Sequence, residues 1–225
     1  MADSERKRGR GYDAESAREA ILNAAEETFA REGFDGARID AIAAASGYNK
    51  SLIFHYFEDK LGLYTAVIRR MKEYGEHLQA DLLAPSLENE TILHDAREFR
   101  AFLEGMVGLS FDFLQSHPNI LRILSWEAAE QWKTFLQIIT RLDLGVGVTK
   151  RLRQFFLQAQ TNGILRSDID PAMTIILTLS MCQSYLTSLP RYEVLLDQHL
   201  SSPEAFTRAR EQIVRFVVHG MMVDA

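Results

Sequence analysis

Apolar residues recur along the chain at the three- and four-residue spacing that places them on one face of a helix. From Ala14 to about Arg31 the stripe is Ala17, Ile21, Ala24, Ala25, Thr28 and Phe29, with Gly33 the expected C-cap. Arg38–Ala45 reads as a short Ala-rich helix with Ile39, Ile42 and Ala43 on one side. Ser46-Gly47 breaks it, and a second short helix runs from Asn49 or Lys50 to Tyr56, with Asn49 as N-cap. A longer helix is expected from about Leu61 to Leu82, and Ala84-Pro85-Ser86 is the clearest break in the chain. Further helices follow at Asp95–Gln115, Asn119 to about Gln131, Trp132–Thr140 and Leu144–Thr161, with a weak point near Asp143–Gly147. The last two are Pro171 to about Leu189 and Pro203–Met222.

Composition agrees with an all-α reading. Leu and Ala far outnumber Val, and 13 Gly with 5 Pro in 225 residues is below average usage. Apolar residues at 47% and charged residues at 25% exclude a disordered or low-complexity chain. The single cysteine, Cys182, has no internal disulfide partner and reads as a small buried hydrophobe. Residues 1–10 are polar and basic with no apolar stretch behind them, so a cytoplasmic protein is expected. Pro171–Pro190 is free of charge, yet its Thr, Ser and Gln make it too polar for a membrane span, and no membrane partner is expected.

The search for catalytic or metal chemistry is negative. The six histidines form no His-x3-His pair and no HExxH, so neither metal nor cofactor is expected. Gly108-Leu-Ser-Phe-Asp112 lacks the second glycine of a nucleophile elbow. Gly145-Val-Gly-Val-Thr-Lys150 is neither a Walker loop nor a dinucleotide fingerprint. An enzyme is not expected.

The informative block is 38–57, two short helices joined at Ser46-Gly47, the layout of a helix-turn-helix. Ala43, Ala44 and Ala45 allow close approach, and Ile53 and Phe57 dock the second helix. Asn49, Lys50, Ser51, Phe54 and His55 are left on a face suited to a major groove. From spacing alone, an ordinary αα-hairpin with a solvated face is the alternative. Net charge gives no support, because the whole chain carries −6 and residues 1–64 hold 9 Lys/Arg against 12 Asp/Glu. Any basic surface must be local, formed by Arg38, Lys50, Lys60 and the arm at residues 1–13. Arg8-Gly9-Arg10 in that arm suits a narrow minor groove, and an inert mobile tail is the equal alternative.

The ordered set Ile21-Leu22-x-Ala24-Ala25, Phe29-Ala-x-x-Gly33-Phe34, Ile42-Ala43-x-x-Ser46-Gly47 and Phe54-His55-Tyr56-Phe57-x-Asp59-Lys60-x-x-Leu63-Tyr64 resembles the TetR family of bacterial transcription regulators. The resemblance implies a three-helix DNA-binding head over 14–75, and a helical ligand-binding and dimerisation domain over 76–225. By position, it implies that Lys50 and Ser51 reach bases or phosphates, and that His55, Tyr56 and Lys60 hold the backbone. Phe54 stands where the family commonly has Tyr, and Arg38 where Thr is usual, so a guanidinium is available to replace the lost phosphate contact. Double-stranded operator DNA, a second copy of the chain and a small-molecule effector are the implied partners.

Two rivals come from other classes. A carrier or enzyme that kept the hairpin leaves Lys50, His55 and Lys60 without a reason to share a face. An architectural DNA protein without a ligand would lack a large apolar cavity beyond Pro85. For the effector, the expected lining is Phe102, Met106, Ser110, Phe113, Trp126, Glu127, Gln131, Phe156 and Gln158, which fits a neutral or cationic, largely apolar molecule. For the dimer, the expected contacts are Ile176, Met181 and Tyr185 with Phe206, Ile213, Phe216, Val217 and Gly220.

Overall fold

The structure is a computed structural model that describes residues 2–142 and 146–223, with side chains for 14–75, 83, 85–140 and 149–223. Ten α-helices and one 3-10 turn are found among the described residues: α1 (Ala2–Gly36), α2 (Ile39–Ser46), α3 (Lys50–Phe57), α4 (Lys60–Glu88), the turn Glu90–Leu93, α5 (Ala96–Ser116), α6 (Pro118–Ala129), α7 (Lys133–Leu142), α8 (Val146–Thr161), α9 (Pro171–Leu196) and α10 (Pro203–Met221). No strand forms among them; the one isolated bridge pairs Leu165 with Met222.

Several helix starts follow from local capping. Asp95 accepts from the backbone N–H of Arg97 and Glu98, Asp170 from Ala172 and Met173, and Ser202 from Ala205. Pro171 and Pro203 occupy first-turn positions, where no N–H is missed. Three expectations need correction. The break at Pro85 is absent: α4 runs on to Glu88, because a proline in the final turn forfeits a single intrahelical bond. The stop expected near Pro190 is absent too, since α9 continues to Leu196. Its return loop is held by the Glu193 carboxylate, which accepts from the N–H of Leu200 and Ser201 and from the Ser201 hydroxyl. The arm is not a separate tail in backbone terms, because α1 begins at Ala2. The weak point at Asp143–Gly147 and the arginines of the arm lie outside the described side chains.

The chain divides into two compact units. The first holds the residues up to Glu73 together with the segment from Arg122 through α7. The expected division placed residues 76–225 in one domain, whereas this grouping assigns the segment from Arg122 through α7 to the first unit. Its core is Ile21, Phe29, Ile42, Ile53, Leu63 and Tyr64, all buried. The Phe29 and Tyr64 rings meet edge-on at 4.7 Å. Arg70 of α4 clamps α1, donating to Glu19 (2.9 Å), Asn23 (2.6 Å) and the Leu22 carbonyl (3.2 Å), and pairing with Glu26.

The second unit holds Tyr74–Leu121 and the residues after 145. There α5 packs against α9 and α10. Phe99 stacks on Phe155 at 5.7 Å and meets Phe156 at 6.2 Å. By length and mean hydropathy (1.3) α9 is able to cross a membrane. Its face of Thr178, Cys182, Leu186 and Leu189 is instead buried in a helix that packs on α5, α8 and α10.

Candidate nucleic-acid interface

The turn between α2 and α3 is built by short-range contacts. Gly47 takes the left-handed conformation (φ 76°) that ends α2. The Ser46 hydroxyl donates to the Ala43 carbonyl and accepts from the Tyr48 N–H. Asn49 then caps α3, its side-chain oxygen accepting from the Leu52 N–H at 2.9 Å. Within α3, Ile53 and Phe57 lie four residues apart and are buried, which fixes the helix's rotation. Lys50 with Phe54, and Ser51 with His55, are likewise four apart, and all four are exposed. The Arg18 guanidinium lies 5.4 Å from the Phe57 ring centroid and covers the docked side.

Each expected contact residue has a defined place. Arg38 is the exposed N-cap residue of α2 and makes no capping bond through its side chain. Lys50 pairs with Asp40 at 2.5 Å. His55 packs on Tyr56 with ring centroids 5.4 Å apart, and Tyr56 is half-buried. Lys60 is partly committed, donating to the Asp35 carbonyl at 3.1 Å and lying 4.8 Å over the Phe34 ring. Asp40 is the residue that sequence reasoning passed over. Its only sequence signal was an acidic residue in the first turn of α2, the helix preceding α3.

The family profile for bacterial regulatory proteins of the tetR family matches residues 21–67, and the tetracyclin repressor-like C-terminal domain profile matches 100–217, more than half of the chain. The chain belongs to the TetR family. The transcriptional repressor NicS of Pseudomonas putida is 28% identical over 176 residues, 78% of each chain. The transcriptional regulator RutR of Escherichia coli is 26% identical over 219 residues, 96% of this chain and 94% of that one. The solved structure of SCO4942 from Streptomyces coelicolor is 25% identical with a TM-score of 0.63, covering 91% of this chain and 98% of that one. The chain is therefore a DNA-binding transcription regulator and not an enzyme.

The expected effector residues are divided between the two units. Phe102 and Met106 border a groove of about 360 Å³ with Leu83, Ile92 and Leu109. Phe156 is fully buried in the aromatic core, and the Ser110 hydroxyl donates to the Met106 carbonyl. Phe113 packs on His117 at 4.5 Å. Gln158 is exposed, one helical face away from the buried Phe155, Phe156 and Ala159. Trp126, Glu127 and Gln131 belong to the unit that holds the DNA-binding helices. There the Trp126 indole N–H donates to the Ala30 carbonyl, and the Glu127 carboxylate accepts from the Tyr64 hydroxyl (2.6 Å) and the Phe135 N–H (3.0 Å).

The expected dimer residues divide as well. Ile213 and Val217 are buried within the protomer, in line with Ala205 and Ala209 at four-residue steps. Phe206 is half-buried, and Tyr185 is half-buried with its ring 6.1 Å from Phe111. Ile176, Met181 and Phe216 are exposed, and Gly220 is open to solvent.

Proposed function

We propose that the protein is a cytoplasmic repressor that binds an inverted-repeat operator as a homodimer and leaves it when a small, largely apolar effector binds. One observation carries the DNA part. Ile53 and Phe57 anchor α3, and its exposed face offers a cation, a hydroxyl, an imidazole and a ring within six residues. Side chains of that reach and polarity fit base edges in a major groove. Arg38, Asn49, Lys50, Ser51, Phe54, His55, Tyr56 and Lys60 make up the reading surface. The NicS name supports the sign of regulation.

The dimer is assigned to α9 and α10. Met173, Ile176, Leu177 and Met181 of α9 and Phe216 of α10 leave an exposed apolar face on two helices that touch each other. A two-fold axis turns two such helices into a four-helix interface. The effector is assigned to the groove beside Phe102 and Met106. Among its described lining residues Glu98 is the charged one, which favours a neutral or cationic ligand over an anion.

Selection of bound duplexes from a random pool tests this reading. Enriched sequences should be inverted repeats with half-sites about 34–36 Å apart, or a modest multiple of that distance. Unsymmetric enriched sequences would overturn it. Repeating the selection with neutral lipophiles, cationic amphiphiles and anionic metabolites should release DNA with the first two classes, and release by anions alone rejects the groove.

A further inference from the structure

The Lys50 ammonium is held by a carboxylate of the preceding helix. Its Nζ lies 2.5 Å from Oδ1 of Asp40, which sits in the first turn of α2 while Lys50 opens α3. A helix N-terminus favours the anion and disfavours the cation, so the partnership suits both residues. Both side chains are exposed, so the core does not require the pair. It lies at the edge of the face that carries Ser51, Phe54 and His55. Nearby polar groups are already engaged: the Asn49 oxygen caps α3, and Lys60 is tied to Asp35 and Phe34. With Arg38 two positions earlier, the Asp40–Lys50 pair supplies the charge of this surface.

We propose that Asp40 is a specificity-determining residue of DNA recognition that acts through Lys50. This rests on α3 being the DNA-reading helix. On an arbitrary sequence the phosphates compete with Asp40 for the ammonium, and Lys50 only exchanges one anion for another. On a matching sequence, guanine O6 and N7 accept from the ammonium while Asp40 retains it, because lysine has three donors. The pair therefore weakens non-specific binding more than specific binding.

The full chain and its Asp40→Asn, Lys50→Ala and doubly substituted variants are measured over a salt series. One probe is an unselected random duplex pool, and the other is the set of duplexes that the unaltered chain enriches from it. Asp40→Asn should tighten binding to the unselected pool by about 2- to 5-fold, the size of an exposed ion pair. Its salt slope there should steepen by about 1, as Lys50 takes up a phosphate. Affinity for the enriched duplexes should hold or fall, so the ratio between the two drops. In the Lys50→Ala background, Asp40→Asn should leave the slope where it was.

Equal tightening on both probes overturns the proposal, as does an effect that persists without Lys50; either one reduces Asp40 to a repelling charge. No change on either probe overturns it as well. If Lys50→Ala alone leaves DNA binding untouched, the assignment of α3 fails, and the inference fails with it for that separate reason.

Discussion

A buried carboxylate is costly unless its oxygens find donors, and Glu127, 3% exposed, has one for each. Oε1 takes the Tyr64 hydroxyl and Oε2 the backbone N–H of Phe135, in the first turn of α7. Glu127→Ala strands both donors, and the expected loss is about 1–3 kcal/mol for each, read from denaturant unfolding followed by Trp126 fluorescence. The phenol adds a pH signature. Burial, and then the hydrogen bond and charge of Glu127, push the Tyr64 pKa well above its ordinary value. A raised folded value means that this stability is present below about pH 10 and is lost as pH rises beyond it. Tyr64→Phe should therefore flatten the alkaline fall in unfolding free energy, and an unchanged pH profile would place the phenol outside the network. Periodicity gave Glu127 a polar place in an aromatic stripe. It could not supply a partner 63 residues earlier, and so the residue read as effector-binding. Gly62 was equally silent in the sequence, although a Cβ there would stand 2.0 Å from the Phe57 carbonyl oxygen.

Helix boundaries were legible wherever a cap decides them locally. Gly47 and Asn49 fix the ends of α2 and α3 through contacts within three residues, so the helix-turn-helix could be read from the chain. Pro85 and Pro190 misled because a proline reports one missing donor, while continuation depends on what holds the following turn. Asn49 joins structure to the proposed function at this scale, since the same side chain caps α3 and borders the face proposed to read DNA. Asn49→Ala should cost about 0.5–2 kcal/mol in thermal unfolding and weaken DNA binding through a frayed α3. Asn49→Asp keeps the cap and sets a negative charge against phosphate. It should keep the melting temperature and still lose DNA affinity, more steeply at low salt. If both variants lose affinity only in proportion to stability, Asn49 acts as a cap alone.

For the whole molecule, the apolar content of α9 and α10 was readable but its division between core and surface was not. The expected stripe on α10 joined Ile213 and Val217 with Phe216, which stands one residue and about 100° away from Val217. That turn separates a residue buried against the protomer from one that is 73% exposed. Ile176, at 63%, is the counterpart on α9. An exposed ring and an exposed isoleucine on touching helices are unfavourable in an isolated protomer and favourable once a second copy covers them. Ile176→Lys with Phe216→Lys should therefore act on assembly and spare the fold, because neither side chain fills the protomer core. Sedimentation should find a 25.6 kDa species in place of the dimer proposed for the unaltered chain, with helical circular dichroism retained. Ile213→Lys, which places a charge inside the protomer, should unfold it instead. The doubly substituted chain should also lose operator affinity, since a single head contacts one half-site and gains nothing from the second. If it sediments as a dimer, the two-fold contact lies elsewhere and this exposed face has another occupant.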